Sequence, residues 1–390
     1  MIDEDIIWVG ADNRRLALFE AVYSVPRGIS YNSYLILDEK TALIDTVDRA
    51  VTDIFLENVA ASLDGRRLDY LVVQHMEPDH SATITDLLLR YPECTVVCNQ
   101  KTFDMIKAFK NREVRANIVK DGDELPLGKH TLSFIYAPMV HWPEVMVSYD
   151  SYSGTLFSAD AFGTFGALNG AIFADEVDFE RDCLDESRRY YTNIVGKYGV
   201  QVKRLLSKTS QLNLKKICPL HGYTWRANID YYVNKYLLWA GYEPEEKGVM
   251  IAYASVYGNT ENVANVLACR LRERGIRCVM HDVSVIEPSY IISDSFKLSH
   301  LVFASITYNG GAFVNMENLL RDIVAHGLKN RKIAIIESGS WAISAGREMK
   351  EILAKLKDTD FIGGDISFKS AMHTDEGKID ALADIIASTM

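Results

Sequence analysis

Apolar and polar positions alternate along the first part of the chain in short runs that predict strands and helices in turn. SYLILDEKTALIDTV (residues 33–47) reads as two strands around a polar turn, Asp48 to Leu63 as a helix, and DYLVVQH (69–75) as another strand. HTLSFIYAP (130–138) and EVMVSYD (144–150) are further strands, with a turn at Ser151 to Gly154. This mixture predicts an α/β layered domain with much antiparallel sheet. The character changes at GYEPEEKG, Gly241 to Gly248, which is polar and turn-rich, follows a helical run from Ile229 to Ala240 and precedes a fresh strand, VMIAYAS. Two domains are therefore expected, 1–246 and 249–390. In the second, apolar strands begin near Val249, Ile276, His300, Lys332 and Phe361 with amphipathic helices between most of them, which predicts a doubly wound, five-stranded parallel sheet.

A length of 390 residues agrees with two cores rather than one. The balance of 42 basic and 53 acidic residues, a net charge of -11, repels phosphate backbones and argues against nucleic-acid binding. The amino terminus, MIDEDIIWVG, is acidic and lacks the basic and apolar regions of a signal peptide. No window approaches the ~20 apolar residues that span a bilayer. A soluble, cytoplasmic protein with no membrane partner is expected. The six cysteines (Cys94, Cys98, Cys183, Cys218, Cys269 and Cys278) form no C-x-x-C pair, which excludes a four-cysteine metal module and makes a disulfide framework improbable.

Candidate chemistry sits at the ends of the apolar runs. Directly after DYLVVQ come His75, Glu77, Asp79 and His80, with Pro78 stiffening the turn and a helix expected from near Ser81. Such a cluster reads either as a solvated loop with a helix cap or as a ligand set, because the crevice beyond strand ends is where α/β sheets bind ligands. Three more candidates stand at comparable places: His141 after FIYAPMV, Asp160 after GTLFSA and His221 after KKICPL. Each of these three, taken alone, is more often a hydrogen-bonded structural residue than a ligand.

In the second domain, a strand runs into Ser255, Val256, Tyr257, Gly258, Asn259 and Thr260 before a helix begins. Hydroxyls, a glycine and backbone N–H groups at a helix start make a phosphate cradle, although the same turn with Thr260 as a plain cap is the simpler reading. Two further loops follow at corresponding strand ends. SITYNGGAF carries Ser305, Thr307, Tyr308, Asn309, Gly310 and Gly311, and ESGSWAISAG carries Ser338, Gly339, Ser340 and Trp341. Glycines there permit close approach to a flat ring, and Tyr308 and Trp341 either stack on it or pack.

The order H-x-E-x-D-H, then His141, Asp160 and His221, resembles the metallo-β-lactamase superfamily, with the second histidine of H-x-H-x-D-H replaced by Glu77. The S-x-Y-G-N-T loop with its two aromatic and glycine-rich companions resembles short-chain flavodoxins. A metallo-β-lactamase-like αββα sandwich followed by a flavodoxin-like sheet resembles the flavodiiron proteins (A-type flavoproteins) over nearly the whole chain. That resemblance implies two non-haem irons and FMN. One iron would be held by His75, Glu77 and His141 and the other by Asp79, His80 and His221, with Asp160 bridging. In the family the residue at the place of His80 does not always reach the metal.

The implied activity is reduction of dioxygen to water, of nitric oxide to nitrous oxide, or of both. Glu77 and Asp160 would act at the reacting centre, and Glu77 lies nearest the flavin. Phe162, Phe165, Tyr190 and Tyr191 either line the pocket or pack in the core, and Tyr191 is the tyrosine taken to donate a hydrogen bond there. The resemblance further implies a head-to-tail homodimer, or a tetramer of two such dimers, because the two cofactors sit on separate domains. Electrons would come from a separate donor, rubredoxin or a reduced deazaflavin. The alternative is a binuclear zinc hydrolase fused to a flavodoxin, using metal-bound hydroxide.

Overall fold

The computed structural model describes residues 1–110, 113–369 and 376–390. It separates into two compact units, Met1–Leu237 and Leu238–Met390.

In the first unit, one sheet orders its strands Ile6–Trp8, Tyr34–Leu37, Thr41–Ile44, Tyr70–Val72, Thr95–Cys98 and Ala116–Ile118. Its first three strands are antiparallel and the rest run parallel to Thr41–Ile44. A second sheet orders Glu124–Pro126, Thr131–Tyr136, Met146–Asp150, Thr155–Phe157 and Lys216–Cys218. Only its last pairing, between Thr155–Phe157 and Lys216–Cys218, is parallel. Strand alternation sends Ile6, Tyr34, Ile36, Ala42, Ile44, Val72 and Val97 of the first sheet against Leu132, Phe134, Met146, Phe157 and Cys218 of the second, so the core is the layer between the sheets. The helix expected over 48–63 is a 3-10 turn at Arg49–Val51, opened by the Asp48 carboxylate accepting from the Ala50 amide at 2.8 Å, and then an α-helix over Thr52–Leu63. It stops where Asp64 and Gly65 take positive φ, 46° and 79°.

In the second unit, five parallel strands lie in the order Cys278–Asp282, Glu246–Ala254, Leu298–Tyr308, Arg331–Gly339, Thr359–Lys369. In chain order this is 2-1-3-4-5, the flavodoxin-like arrangement, whose switch point falls between the first and third strands. Period-two alternation splits the apolar residues between two cores. Met250, Ala252, Leu301, Phe303, Ile333 and Ile335 face one layer of helices, while Val249, Ile251, Val302, Ala304, Ala334 and Ile336 face the other. Both faces are buried, so these strands read as continuous apolar runs. No helix among the described residues is long and apolar enough to cross a membrane.

An ion cluster ties the edge strand of the first sheet to the second. His130 is buried, with Nδ1 2.8 Å from Asp150 Oδ2 and Nε2 3.7 Å from Asp5 Oδ2, and Lys129 also pairs with Asp5. Burial alone disfavours the imidazolium, but the carboxylates of Asp150, Asp38 and Asp5 outweigh it and hold the His130 pKa above its ordinary value. A raised pKa in the folded state means stabilisation that is full below the unfolded value of about 6.5 and is lost as pH rises through the folded one. Thermal melts between about pH 6 and pH 9 should fall more steeply for the wild type than for His130→Gln, by a few degrees; equal slopes would remove the cluster from the stability balance.

Candidate functional site

Four loops converge at one edge of the first unit. The Tyr70–Val72 strand ends early, and the chain turns through His75 and Glu77 into a short helix, Pro78–Ser81. That helix starts three residues before the position expected, because Pro78, whose φ is preset for a helix, occupies its first turn. Asp79 and His80 are thereby helical residues, with Glu77 as the residue preceding the helix. His141 follows the Thr131–Tyr136 strand, Asp160 follows Thr155–Phe157, and His221 follows Lys216–Cys218.

All seven residues are buried, and they fall into two groups, His75, Glu77, His141 and Asp160 in one and Asp79, His80 and His221 in the other. In the first, His75 Nε2 lies 3.2 Å from Glu77 Oε2 and 3.2 Å from Asp160 Oδ2. His141 Nε2 lies 2.9 Å and 3.2 Å from the same two oxygens. In the second, Asp79 Oδ2 is 3.2 Å from both His80 Nε2 and His221 Nε2, and those two nitrogens are 3.0 Å apart. Asp160 faces both groups: its Oδ2 serves the first, and its Oδ1 lies 3.2 Å from His80 Nε2 in the second.

This set fits two cations. Both oxygens of Asp79 and Oδ1 of Asp160 are buried without a hydrogen-bond partner, a costly condition that a bound metal relieves. Burial opposes charge on these groups, and proximity overrules it. Asp160 is held well below the usual carboxylate range by His75 and His80, and Glu77 is held low by His141 and His75. His75 is pushed up by Asp160, Glu144 and Glu77, and His141 rises to about 9 through Asp160 and Glu77. A cation at each centre would take the place of those shared protons.

Several neighbours were not anticipated from the sequence. Glu144 accepts from the Met76 amide at 2.9 Å and faces His75 Nδ1 at 2.9 Å. Asp45, at φ 54°, accepts from the Gln74 amide at 2.8 Å and so fixes the start of the His75 loop. Ser30 offers its carbonyl to His221 Nδ1 at 2.7 Å. Glu20, itself exposed, reaches Glu77 from the turn between Leu18–Phe19 and Tyr23–Ser24, and the neighbouring Glu77 carboxylate raises its carboxyl above the usual range. Asp45 and Glu144 each flank an apolar strand, and that position was the available signal.

Tyr190 and Tyr191 separate. The Tyr190 ring lies 5.5 Å from His221, and its buried hydroxyl has no hydrogen-bond partner. Tyr191 instead packs edge-on to Tyr236 at 5.0 Å, so Tyr190 is the tyrosine brought to the metal residues. Phe162 packs on Tyr236 at 4.4 Å, whereas Phe165 packs on Tyr190 at 5.1 Å and on Phe19 at 5.7 Å.

In the second unit, the three loops leave adjacent strands at the switch point of the sheet. The helix Asn259–Glu273 opens on Gly258 at φ 87°, with no side chain capping it, so its first-turn amides are left for an anion. Thr260 does not cap that helix; its hydroxyl is buried 2.7 Å from Ser338 of the third loop. Ser255 Oγ accepts from the Gly258 amide at 3.1 Å and closes the turn around Val256 and Tyr257. In the second loop Asn309 and Gly310, at φ 51° and 80°, form a tight hairpin that pairs Tyr308 with Gly311. Thr307 Oγ1 accepts from the Ser344 amide at 3.0 Å, tying that hairpin to the third loop, and Ser305 Oγ accepts from Phe313 at 3.1 Å. Gly339 lies against Thr307 and Ile343, and Ser340 is exposed beside it. Tyr308 is half-exposed and edge-on to Phe313, while Tyr257 and Trp341 are 93% and 89% exposed, which removes core packing as the reason for Trp341.

The family description "ODP family beta lactamase" matches residues 29–222, and "Flavodoxin" matches 251–381. A nitric oxide reductase from Moorella thermoacetica is 32% identical over 360 residues, 91% of this chain and 90% of the relative. An anaerobic nitric oxide reductase flavorubredoxin from Vibrio vulnificus is 30% identical over 367 residues, 92% of this chain and 73% of that one. Among solved structures, the rubredoxin oxygen:oxidoreductase of Desulfovibrio gigas superposes with a TM-score of 0.94 at 28% identity, covering 100% of this chain and 98% of that one. The flavodiiron protein of Giardia intestinalis gives a TM-score of 0.90 at 26% identity, covering 99% and 95%.

Metal-stripped protein should take up two equivalents of a divalent ion, one for each group. Asp160→Ala, which removes the carboxylate common to both, should lose both metals, and His221→Ala should lose one. Elemental analysis after gel filtration decides it, and an Asp160→Ala protein that kept two metals would refute the shared role.

Proposed function

Because the chain belongs to the flavodiiron protein family, we propose that it reduces dioxygen to water, nitric oxide to nitrous oxide, or both. It does so at two non-haem irons supplied with electrons through FMN. The observation that carries this reading is the orientation of Asp160, one oxygen toward each ligand group, in a chain that also holds an uncapped flavodoxin-type phosphate loop. Glu77 in the place of a histidine, together with the flavodoxin domain, speaks against the zinc hydrolase alternative, since such hydrolysis needs no flavin.

The residues have distinct tasks. His75, Glu77 and His141 are assigned to one iron, Asp79, His80 and His221 to the other, and Asp160 to both. With the four imidazoles neutral, the three carboxylates bring three negative charges to the pair of ions. Two ferrous ions and reduced FMN together supply the four electrons that dioxygen needs to reach water, or the two that convert a pair of nitric oxide molecules to nitrous oxide. The Glu77 carboxylate stands next to Glu20 at a cavity lined also by Phe19, Tyr31, Pro78 and Asp79, and it is the group through which electrons are assigned to enter. Tyr190, whose hydroxyl is buried and unpartnered beside His221, replaces Tyr191 as the donor of a hydrogen bond to bound substrate.

FMN is assigned to the three loops, with its phosphate on Ser255 to Thr260 and its ring among Tyr308, Asn309, Gly310, Gly311, Ser338, Gly339, Ser340 and Trp341. The exposed Trp341 and Tyr257 support a flavin whose outer edge meets another protein surface, as in a head-to-tail homodimer or a tetramer built from two. Rubredoxin, from which the Desulfovibrio gigas oxidoreductase takes its name, is the proposed electron donor, and a reduced deazaflavin the alternative. The proposed location is the cytoplasm.

Anaerobically reduced protein containing iron and FMN, followed with gas electrodes, should consume nitric oxide, dioxygen without release of peroxide, or both. The faster of the two identifies the physiological substrate class. Uptake of neither gas would overturn the proposal. His141→Ala should lose gas reduction and retain FMN, because the ligand and the flavin loops belong to different units.

A further inference from the structure

We infer that Glu144 is a positioning residue that fixes His75 with its proton on Nδ1 and makes the metal position of His75, Glu77, His141 and Asp160 the stronger of the two. The inference rests on the diiron reading and deepens it. Glu144 and His75 are both fully buried in their side chains, and Glu144 Oε1 stands 2.9 Å from His75 Nδ1. The same oxygen accepts from the Met76 backbone amide at 2.9 Å, and the Asn99 amide holds the Glu144 carbonyl at 2.6 Å, so the carboxylate has little freedom to turn. A carboxylate that already accepts from a backbone amide accepts a second hydrogen bond from the imidazole Nδ1–H, which leaves the Nε2 lone pair facing Glu77 Oε2 and Asp160 Oδ2.

The second group has no equivalent among the described residues. His221 Nδ1 meets a neutral acceptor, the Ser30 carbonyl, and His80 Nδ1 has no partner. A carboxylate behind an imidazole strengthens it as a donor more than a carbonyl does. It also adds a negative charge directly behind His75 to those of Glu77, Asp79 and Asp160. That charge lies on one side only. The position served by His75 should therefore bind a divalent ion more tightly and favour the ferric state more than the position served by His221.

The test uses the full chain, stripped of metal and titrated anaerobically with cobalt(II) against a competing chelator. The wild type is expected to show two binding steps. Glu144→Gln keeps the size and an acceptor oxygen but removes the charge; it should weaken one step by about 10- to 100-fold and leave the other unchanged. In the iron-loaded protein, a redox titration followed by electron paramagnetic resonance should show one iron shifted to a higher potential in the variant, a change that altered packing alone would not confine to one metal. A variant that melts like the wild type, binds both ions as the wild type does and keeps both potentials would overturn the inference while leaving the diiron reading intact. A wild type that binds fewer than two equivalents would overturn both. If Glu144→Gln does not fold, nitrogen-15 NMR of the zinc-loaded wild type decides: His75 should carry a slowly exchanging, strongly downfield Nδ1 proton. A His75 protonated on Nε2, or one whose Nδ1 proton matches that of His221, would overturn the inference.

Discussion

The first unit is organised around buried negative charge. Both carboxylate oxygens of Asp79 and Oδ1 of Asp160 are buried without a hydrogen-bond partner, and the imidazoles of His75, His80, His141 and His221 lie around them. Isolated, such oxygens would cost several kcal/mol each to bury, and cations remove that cost. Folding of this edge and metal binding are thus coupled, since an arrangement that is unfavourable empty becomes favourable when filled. The loops that carry these residues have little freedom in consequence. Asp45 pins the backbone at Gln74, Glu144 pins it at Met76, and the Ser30 carbonyl orients His221.

The second unit meets a similar demand with the opposite sign. A helix that begins on Gly258 without a side-chain cap presents partial positive charge where three strands end, and side-chain hydroxyls link the three loops. The Thr260–Ser338 contact and the bond from the Ser344 amide to Thr307 make the loops one surface rather than three independent turns. Linked loops at the strand ends of a parallel sheet suit a flat cofactor bound with one edge open. Trp341 and Tyr257 are the exposed aromatics of these loops.

Much of this was legible in the chain. The alternation of apolar residues fixed strand faces as well as strands, as the separation of Met250 and Ala252 from Val249 and Ile251 into two cores shows. The seven metal-site candidates were recognisable because each stood at the end of an apolar run, and all seven lie in the two groups. Boundaries fared less well near the site. Pro78 pulled the helix start three residues forward, and the Asn309–Gly310 hairpin, a turn dipeptide with both φ positive, lay hidden inside what reads as a glycine-rich loop.

Composition and local periodicity determined the kinds of element, the change of character between the two halves and the chemical types of the candidate ligands. These depend on residues a few positions apart, and a local pattern contains that information. Tertiary structure decided which atoms meet. Glu144 stands 69 residues from the histidine it orients, and His80 stands 141 residues from His221. Tyr190 rather than Tyr191 reaches His221 because adjacent residues on a helix point roughly 100° apart, so only one of the two can face the site. Which one does so is set by how the helix Leu184–Tyr190 packs, and the placement of Asp160 between the two groups depends on two sheets closing on each other. Both are consequences of packing between distant segments, which no short stretch of sequence specifies.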